Sequence, residues 1–290
     1  KKRTYITREQ VVKSGWGTPA LAFTRGRPLK AQGKIAHYVD FAEVLMQIGC
    51  LAWAMLLVSR TKTMRVVFGV SFAALVGALL LTQTRAAMGG LAVGGFICVL
   101  LLAGRRSRMW ATVGLMVVVV AALVWIRHTR GPLWLGTHDA GTSFRTMMWQ
   151  DGMRLIGEHP LFGVGMETIR THWMQWHIRA YSFFHDESHF HNDYIQLAVE
   201  RGLPGLGGWA LFVVAYIMLL LRLILRCRKQ SRFAAAVASG LLASFVAYQI
   251  TAVVHYNLGI EIVAMMLYFF IGLAIAVERI SHLPGALDVP

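Results

Sequence analysis

Residues 182–205 read SFFHDESHFHNDYIQLAVERGLPG, and three histidines (His185, His189, His191) and three acids (Asp186, Glu187, Asp193) fall within nine of those positions. Two chemistries suit such a set. The first is metal binding. His185 and His189 are four apart, so a helix would put both on one face, and Asp193 continues that face with a carboxylate. No HExxH arrangement or second ligand pair accompanies them, and a histidine at a membrane surface needs no reason beyond its polar tip. The second is acid–base work, for which one imidazole held by a neighbouring Asn or Asp is enough to take a proton from a hydroxyl. That reading gains force with a partner for substrate charge. Arg85, in LLLTQTRAAMGG, stands at the end of an apolar run, where a cation is costly unless paired or directed at a ligand; the plain alternative is an arginine that snorkels to lipid headgroups. Arg145, in GTSFRTMMWQDG, reads on spacing alone as a solvated helix charge. Both suit pyrophosphate, because a guanidinium never deprotonates and makes two bonds in one plane.

The elements that must position these groups are set by composition. The chain is 56% hydrophobic over 290 residues yet carries a formal net charge of +15. Apolar runs recur at 38–59, 66–82, 86–103, 109–126, 204–225, 233–253 and 258–277. Each is about the length a helix needs to cross ~30 Å of hydrocarbon. Backbone groups in lipid must be bonded within their own segment, so the reading is an all-α polytopic membrane protein with about seven transmembrane helices. Lys/Arg-rich turns mark the cytoplasmic side: Arg60, Lys62 and Arg65, then Arg105, Arg106 and Arg108, then Arg222, Arg226, Arg228, Lys229 and Arg232. Alternation then places Gln83–Arg85, residues 127–203 and the His255–Asn257 turn on the opposite face. The domains expected are a basic segment on the outer side (1–37), four spans (38–126), an outer loop with short helices (127–203), three spans (204–279) and a cytoplasmic tail (280–290). An external start for an odd number of spans reads as a piece of a longer polypeptide. The basic segment carries Arg25, Arg27, Lys30 and Lys34, which suit an anionic lipid carrier, or are a solvated tail.

The 127–203 loop is longer than a connector requires. It holds eight of the eleven histidines and four of the nine tryptophans. SFRTMMWQDGMRLIGEHP predicts an amphipathic helix with Phe144, Met147, Met148, Leu155 and Ile156 on one face, ending before Pro160. LFGVGMETIRTHW predicts a glycine turn and a short helix, and HNDYIQLAVERGLPG a third helix stopped by Gly202 and Pro204. Cys50, Cys98 and Cys227 fall in spans or a basic turn and suggest no disulfide framework.

Taken together, TQTRAA, SFRTMMWQDGMRLIGEHPLFGVG and HNDYIQLAVERGLPGLGG resemble the O-antigen ligase and polymerase superfamily, and O-antigen ligase most of all. The likeness runs over roughly residues 60–280, and more loosely over KIAHYVDFAE. It implies a GT-C-like O-antigen ligase fold in the bacterial inner membrane with the active site on the periplasmic side. The family's histidine, followed by Asn, nine residues and Gly-x-x-Gly, corresponds to His191 with Asn192, Gly202 and Gly205. Its arginine at a span end corresponds to Arg85, in a setting with Thr84 and Ala86 where serine and glycine are commoner. Its loop arginine upstream of a tryptophan corresponds to Arg145, with Trp149 behind it.

The resemblance implies transfer of a glycan from undecaprenyl diphosphate to a sugar hydroxyl of lipid A-core, with inversion, no metal and no cofactor. His191 would take the hydroxyl proton. Arg85 and Arg145, helped by Arg25, Arg27 or Lys34, would bind the diphosphate and stabilise the leaving group. His185 and His189 are read as acceptor-binding or structural, and Asn192 and Asp193 as substrate contacts able to set the His191 tautomer. Trp173, Trp176 and Tyr181 suit sugar stacking or an interfacial aromatic belt. The partners implied are the lipid-linked donor, the lipid A-core acceptor and membrane lipids, with no nucleic acid. Polymerase or protein O-oligosaccharyltransferase activity uses the same donor chemistry. A transporter would need ionisable groups in mid-span, whereas Asp40, Glu43 and Glu261 lie toward span ends. A metal-dependent membrane hydrolase is the remaining enzyme reading.

Overall fold

The computed structural model describes residues 37–109, 140–179 and 189–283. Among them the long elements are all helices and there is no strand: α1 Tyr38–Val58, α2 Lys62–Thr82, α3 Arg85–Leu102, α4 Ala140–Glu158, α5 Thr168–Thr171, α6 Asp193–Gln230, α7 Arg232–Thr251 and α8 Glu261–Ser281. Six of these, α1, α2, α3, α6, α7 and α8, are long and apolar enough to cross a bilayer. The all-α polytopic fold expected from composition is thus present. The seventh expected span, 109–126, falls almost wholly outside the described residues. The described residues form two compact units, 37–109 with 210–283 and 140–179 with 189–209.

In the first unit the core lies where α1, α3 and α7 meet. Burial is nearly complete along α7, RFAAAVASGLLASFVAYQIT, whose small residues let neighbours approach on every side. On α3, Gly90 and Gly94 are four apart and face that seam. A Cβ at Gly94 would lie 2.5 Å from Cys50 Sγ on α1 and 3.1 Å from the Ala243 carbonyl oxygen on α7, so only a hydrogen fits. Small residues at this spacing drive helix contact in lipid, where apolar burial between helices gains little. By contrast, α2 leans on α1 and turns Val66, Val67, Val70 and Leu81 outward. Ends are set locally. Thr61 Oγ1 accepts from Met64 N–H at the start of α2, and Ser231 Oγ from Ala234 N–H at the start of α7. Gln83, with φ 57°, closes α2 in the left-handed conformation and leads directly into α3.

The second unit is built on α4. Met147, Met148 and Leu155 are buried against Ile169, Ile178, Phe190 and Val199, as the amphipathic pattern requires. Gly152 lets α4 approach α6, since a Cβ there would lie 2.5 Å from Ile195 Cγ2. Asp151, 3% exposed, accepts from the backbone N–H of Arg179 at 2.9 Å and from its Nε at 2.8 Å, which ties the segment after α5 to α4. Arg154 reaches the Trp176 carbonyl at 2.6 Å to the same effect.

The break in α6 joins the two sequence signatures of the loop. Gly202 has φ 70° and ψ −179°, and Pro204 has no N–H to give the Glu200 carbonyl. The turn at 160–165 supplies what the helix lacks. Gly165 N–H donates to Glu200 O at 3.1 Å, Val164 N–H to Val199 O at 2.8 Å, and Leu203 N–H turns outward to Pro160 O at 2.7 Å. Glycine is required on both sides of the crossing, for any Cβ on Gly163 or Gly202 would overlap the other segment's backbone. The expected helix stop at Gly202 and Pro204 is therefore a break, after which α6 resumes as a span.

Candidate active site

His191 lies two residues before α6, in a short loop whose backbone is held on both sides. Phe190, fully buried, donates its N–H to Gln196 Oε1 at 2.9 Å. Its carbonyl accepts from Trp149 Nε1 at 3.0 Å. Gln196 is oriented in turn by Nε2 donating to Glu200 Oε1 at 2.7 Å, and Glu200 also receives the Glu167 N–H at 3.3 Å. Thus α4, the α5 approach and α6 all converge on one peptide unit next to the histidine.

His191 itself has φ 50°, a left-handed conformation that costs a residue with a Cβ roughly 1–2 kcal/mol. Such strain persists only where the surroundings over-determine it, as the clamped Phe190 peptide does here. The His191 ring stands half-exposed, 4.3 Å from the His189 ring and 6.1 Å from Phe144, both edge-on. His191 N–H points at His189 Nδ1, 3.3 Å away, which leaves the proton of a neutral His189 ring on Nε2.

Of the residues read as substrate contacts beside His191, Asn192 has a local task. Its Oδ1 accepts from Tyr194 N–H at 2.9 Å and Ile195 N–H at 3.0 Å, so it is the N-cap of α6. Asp193 is fully buried in the first helical turn, where a carboxylate is favoured by the helix dipole. Trp173 and Trp176 pack against the core of this unit rather than standing clear of it. His185, Tyr181, Arg25, Arg27, Lys30 and Lys34 lie outside the described residues.

Arg145 sits on α4 between Phe144, which meets the His191 ring, and Trp149, one turn on, which clamps the His191 loop. It is solvent-exposed. Arg145 and His191 therefore belong to one unit, supported by the same helix. Arg85 belongs to the other unit, as the exposed first residue of α3. The turn before it is held by two hydrogen bonds: Thr82 Oγ1 donates to Leu79 O at 2.7 Å and accepts from Thr84 N–H at 3.2 Å. Thr84, the N-cap of α3, makes no side-chain cap bond. Arg85 thus adds a guanidinium to a helix start whose N–H groups favour an anion. An apolar cavity of about 450 Å³, lined by Trp53, Phe72, Leu79, Leu80, Met88 and Phe96 from α1, α2 and α3, runs up toward that turn.

One constellation escaped the sequence reading. His37, Asp40 and His255 bring ligand-type atoms together, with Asp40 Oδ1 3.6 Å from His37 Nδ1 and 3.4 Å from His255 Nε2. Such spacing suits a cation, but His255 Nδ1 accepts from Tyr256 N–H at 2.8 Å. A neutral ring so held carries its proton on Nε2, turned toward the carboxylate 3.4 Å away, so the arrangement sets an N–H against Asp40 rather than presenting a ready ligand set. One helical turn below Asp40, Glu43 is fully buried and accepts from Thr251 Oγ1 at 2.7 Å. Thr251 in turn receives Asn257 Nδ2 at 2.8 Å. The acid therefore sits inside the bundle, paired, and not at its rim. Positions 37–43 and 251–257 are too far apart in sequence for any spacing rule to join them.

Residues 70–210 match the family model described as O-antigen ligase (Wzy_C), and none of the curated proteins matches the chain. The matched stretch contains Arg85, Arg145, Trp149, His191, Gly202 and Gly205. It brings with it glycosyl transfer on lipid-linked glycans as the class of work. With six apolar spanning helices among the described residues, the chain is a multi-pass membrane protein, and over residues 70–210 it is similar to the O-antigen ligase family.

Proposed function

We propose that the protein is an O-antigen ligase that transfers a glycan from undecaprenyl diphosphate to a sugar hydroxyl of lipid A-core, on the periplasmic side of the bacterial inner membrane. His191 takes the acceptor proton as the oxygen attacks the anomeric carbon from the face opposite the diphosphate, so configuration inverts. The C–O bond to the diphosphate breaks, and Arg85 and Arg145 stabilise the charge that develops on the departing oxygen. Arg25, Arg27 and Lys34 assist in drawing in the anionic carrier. His185 and His189 serve acceptor binding or the structure of the loop. The apolar cavity below Arg85 suits a short stretch of the polyprenyl tail, its remainder lying in lipid.

The observation that carries this reading is the posture of His191. A half-exposed imidazole is held in a left-handed backbone by a peptide bonded on both faces, next to the helix that bears Arg145. A histidine serving only as an interfacial polar tip needs no such scaffold. The assay that tests the assignment offers purified protein the lipid-linked donor with lipid A-core and a second lipid-linked glycan side by side. Product on lipid A-core is the expected result. Exclusive chain extension of the second glycan would instead assign a polymerase.

A further inference from the structure

Within the 140–179 and 189–209 unit, the turn between α4 and α5 exposes large apolar groups where a water-facing loop would have polar ones. Phe162 is 87% exposed, Leu161 63% and Met166 62%. We infer that this turn is a membrane-docking element, with Leu161 and Phe162 inserted among lipids of the outer leaflet at the boundary between headgroups and acyl chains.

Two features fix its depth and its partner. The turn is bonded to α6 at the point where that helix begins its span, through Leu203 N–H to Pro160 O at 2.7 Å and Val164 N–H to Val199 O at 2.8 Å. Leu161 and Phe162 are thereby level with Gly202 and Leu203. Leu203 is itself 49% exposed, and further along α6 Leu211, Val214, Met218, Leu221 and Leu225 form a row at three- and four-residue steps, 42–74% exposed. An exposed apolar row on a spanning helix faces hydrocarbon. Bonded to the residues at which α6 enters its span, the turn lies at interfacial depth. Arg201 supplies the matching cation: its Nη2 rests 3.3 Å from Met166 Sδ, at the patch edge, placed for lipid phosphate. A bilayer therefore fits where a second protein would need its own argument. Docking of this kind fixes the unit bearing His191 against the membrane surface, whatever reaction it performs.

The test uses the full chain in lipid nanodiscs. Its three native cysteines are buried, so an introduced thiol labels selectively. Leu161→Cys and Phe162→Cys carry an environment-sensitive fluorophore, with exposed Gln175→Cys as the aqueous control. At 161 and 162 the expected outcome is blue-shifted emission, loss of fluorescence with lipids bearing a nitroxide high on the acyl chain, and protection from iodide relative to 175. Iodide quenching at 161 and 162 equal to that at 175 would overturn the proposal. Protection from both quenchers would also overturn it, since protein rather than lipid would then cover the turn.

Discussion

With His191 proposed as the group that meets substrate, the residues around it are those that position it. Trp149 is the clearest of these, because its indole N–H holds the Phe190 carbonyl without reaching the imidazole. Trp149→Phe keeps most of the packing and removes that bond. The expected outcome is a fall in kcat of about tenfold with little change in KM, since a slight misplacement of a reacting group is costly; steady-state kinetics on a protein with unaltered melting decides it. Asn192→Ala removes the α6 cap and should lower stability by about 1 kcal/mol, read as a small drop in Tm. A loss of donor or acceptor affinity with no change in Tm would return Asn192 to the role of a substrate contact. This residue shows how the sequence misleads at short range. HND before an apolar helix is a cap signature, but next to a candidate catalytic histidine it reads equally well as part of the site. The left-handed backbone of His191 left no trace in composition, because it accompanies hydrogen bonds from distant residues, Trp149 and Gln196, to the neighbouring Phe190 peptide.

At the scale of elements, the six described spans were legible because twenty apolar residues in lipid have few alternatives to a helix. The amphipathic face of α4 was legible for the same kind of reason. What spacing could not show is the pairing of HPLFGVG with ERGLPG, in which a turn replaces the backbone partners lost at Gly202 and Pro204. Two variants separate the roles of those residues. Gly202→Ala forces a Cβ into the Leu161 carbonyl at a positive φ and should destabilise the unit by more than 1 kcal/mol. Pro204→Ala only returns an N–H to a helix whose carbonyl already has a partner, and its melting should stay near that of the parent. Equal tolerance of both would mean that the crossing is not a structural requirement. On α3, Gly94→Val drives side-chain atoms into Cys50 and the α7 backbone. The prediction is loss of folded protein in detergent extracts.

For the whole molecule, basic turns and span count predict an orientation, with Thr61 toward the cytoplasm and Gln83, at the far end of α2, toward the periplasm. In intact cells, a membrane-impermeant thiol reagent should label Gln83→Cys and spare Thr61→Cys; the reverse pattern would put Arg85 on the wrong face for a periplasmic reaction. The His37–Asp40–His255 set was hidden from sequence because it unites the start of α1 with the turn after α7. Excess chelator should leave transfer unchanged if arginines alone neutralise the diphosphate, and a loss restored by one added divalent cation would move that task to a metal. Everything else in the account rests on His191 as the group that accepts the acceptor's proton. Single-turnover transfer from undecaprenyl-diphosphate-linked glycan to lipid A-core by purified protein, compared with His191→Ala in the same nanodiscs, measures that directly. The predicted result is that the variant keeps its melting temperature and binds donor but forms product at least about 100-fold more slowly; transfer by His191→Ala at the parent's rate would contradict it.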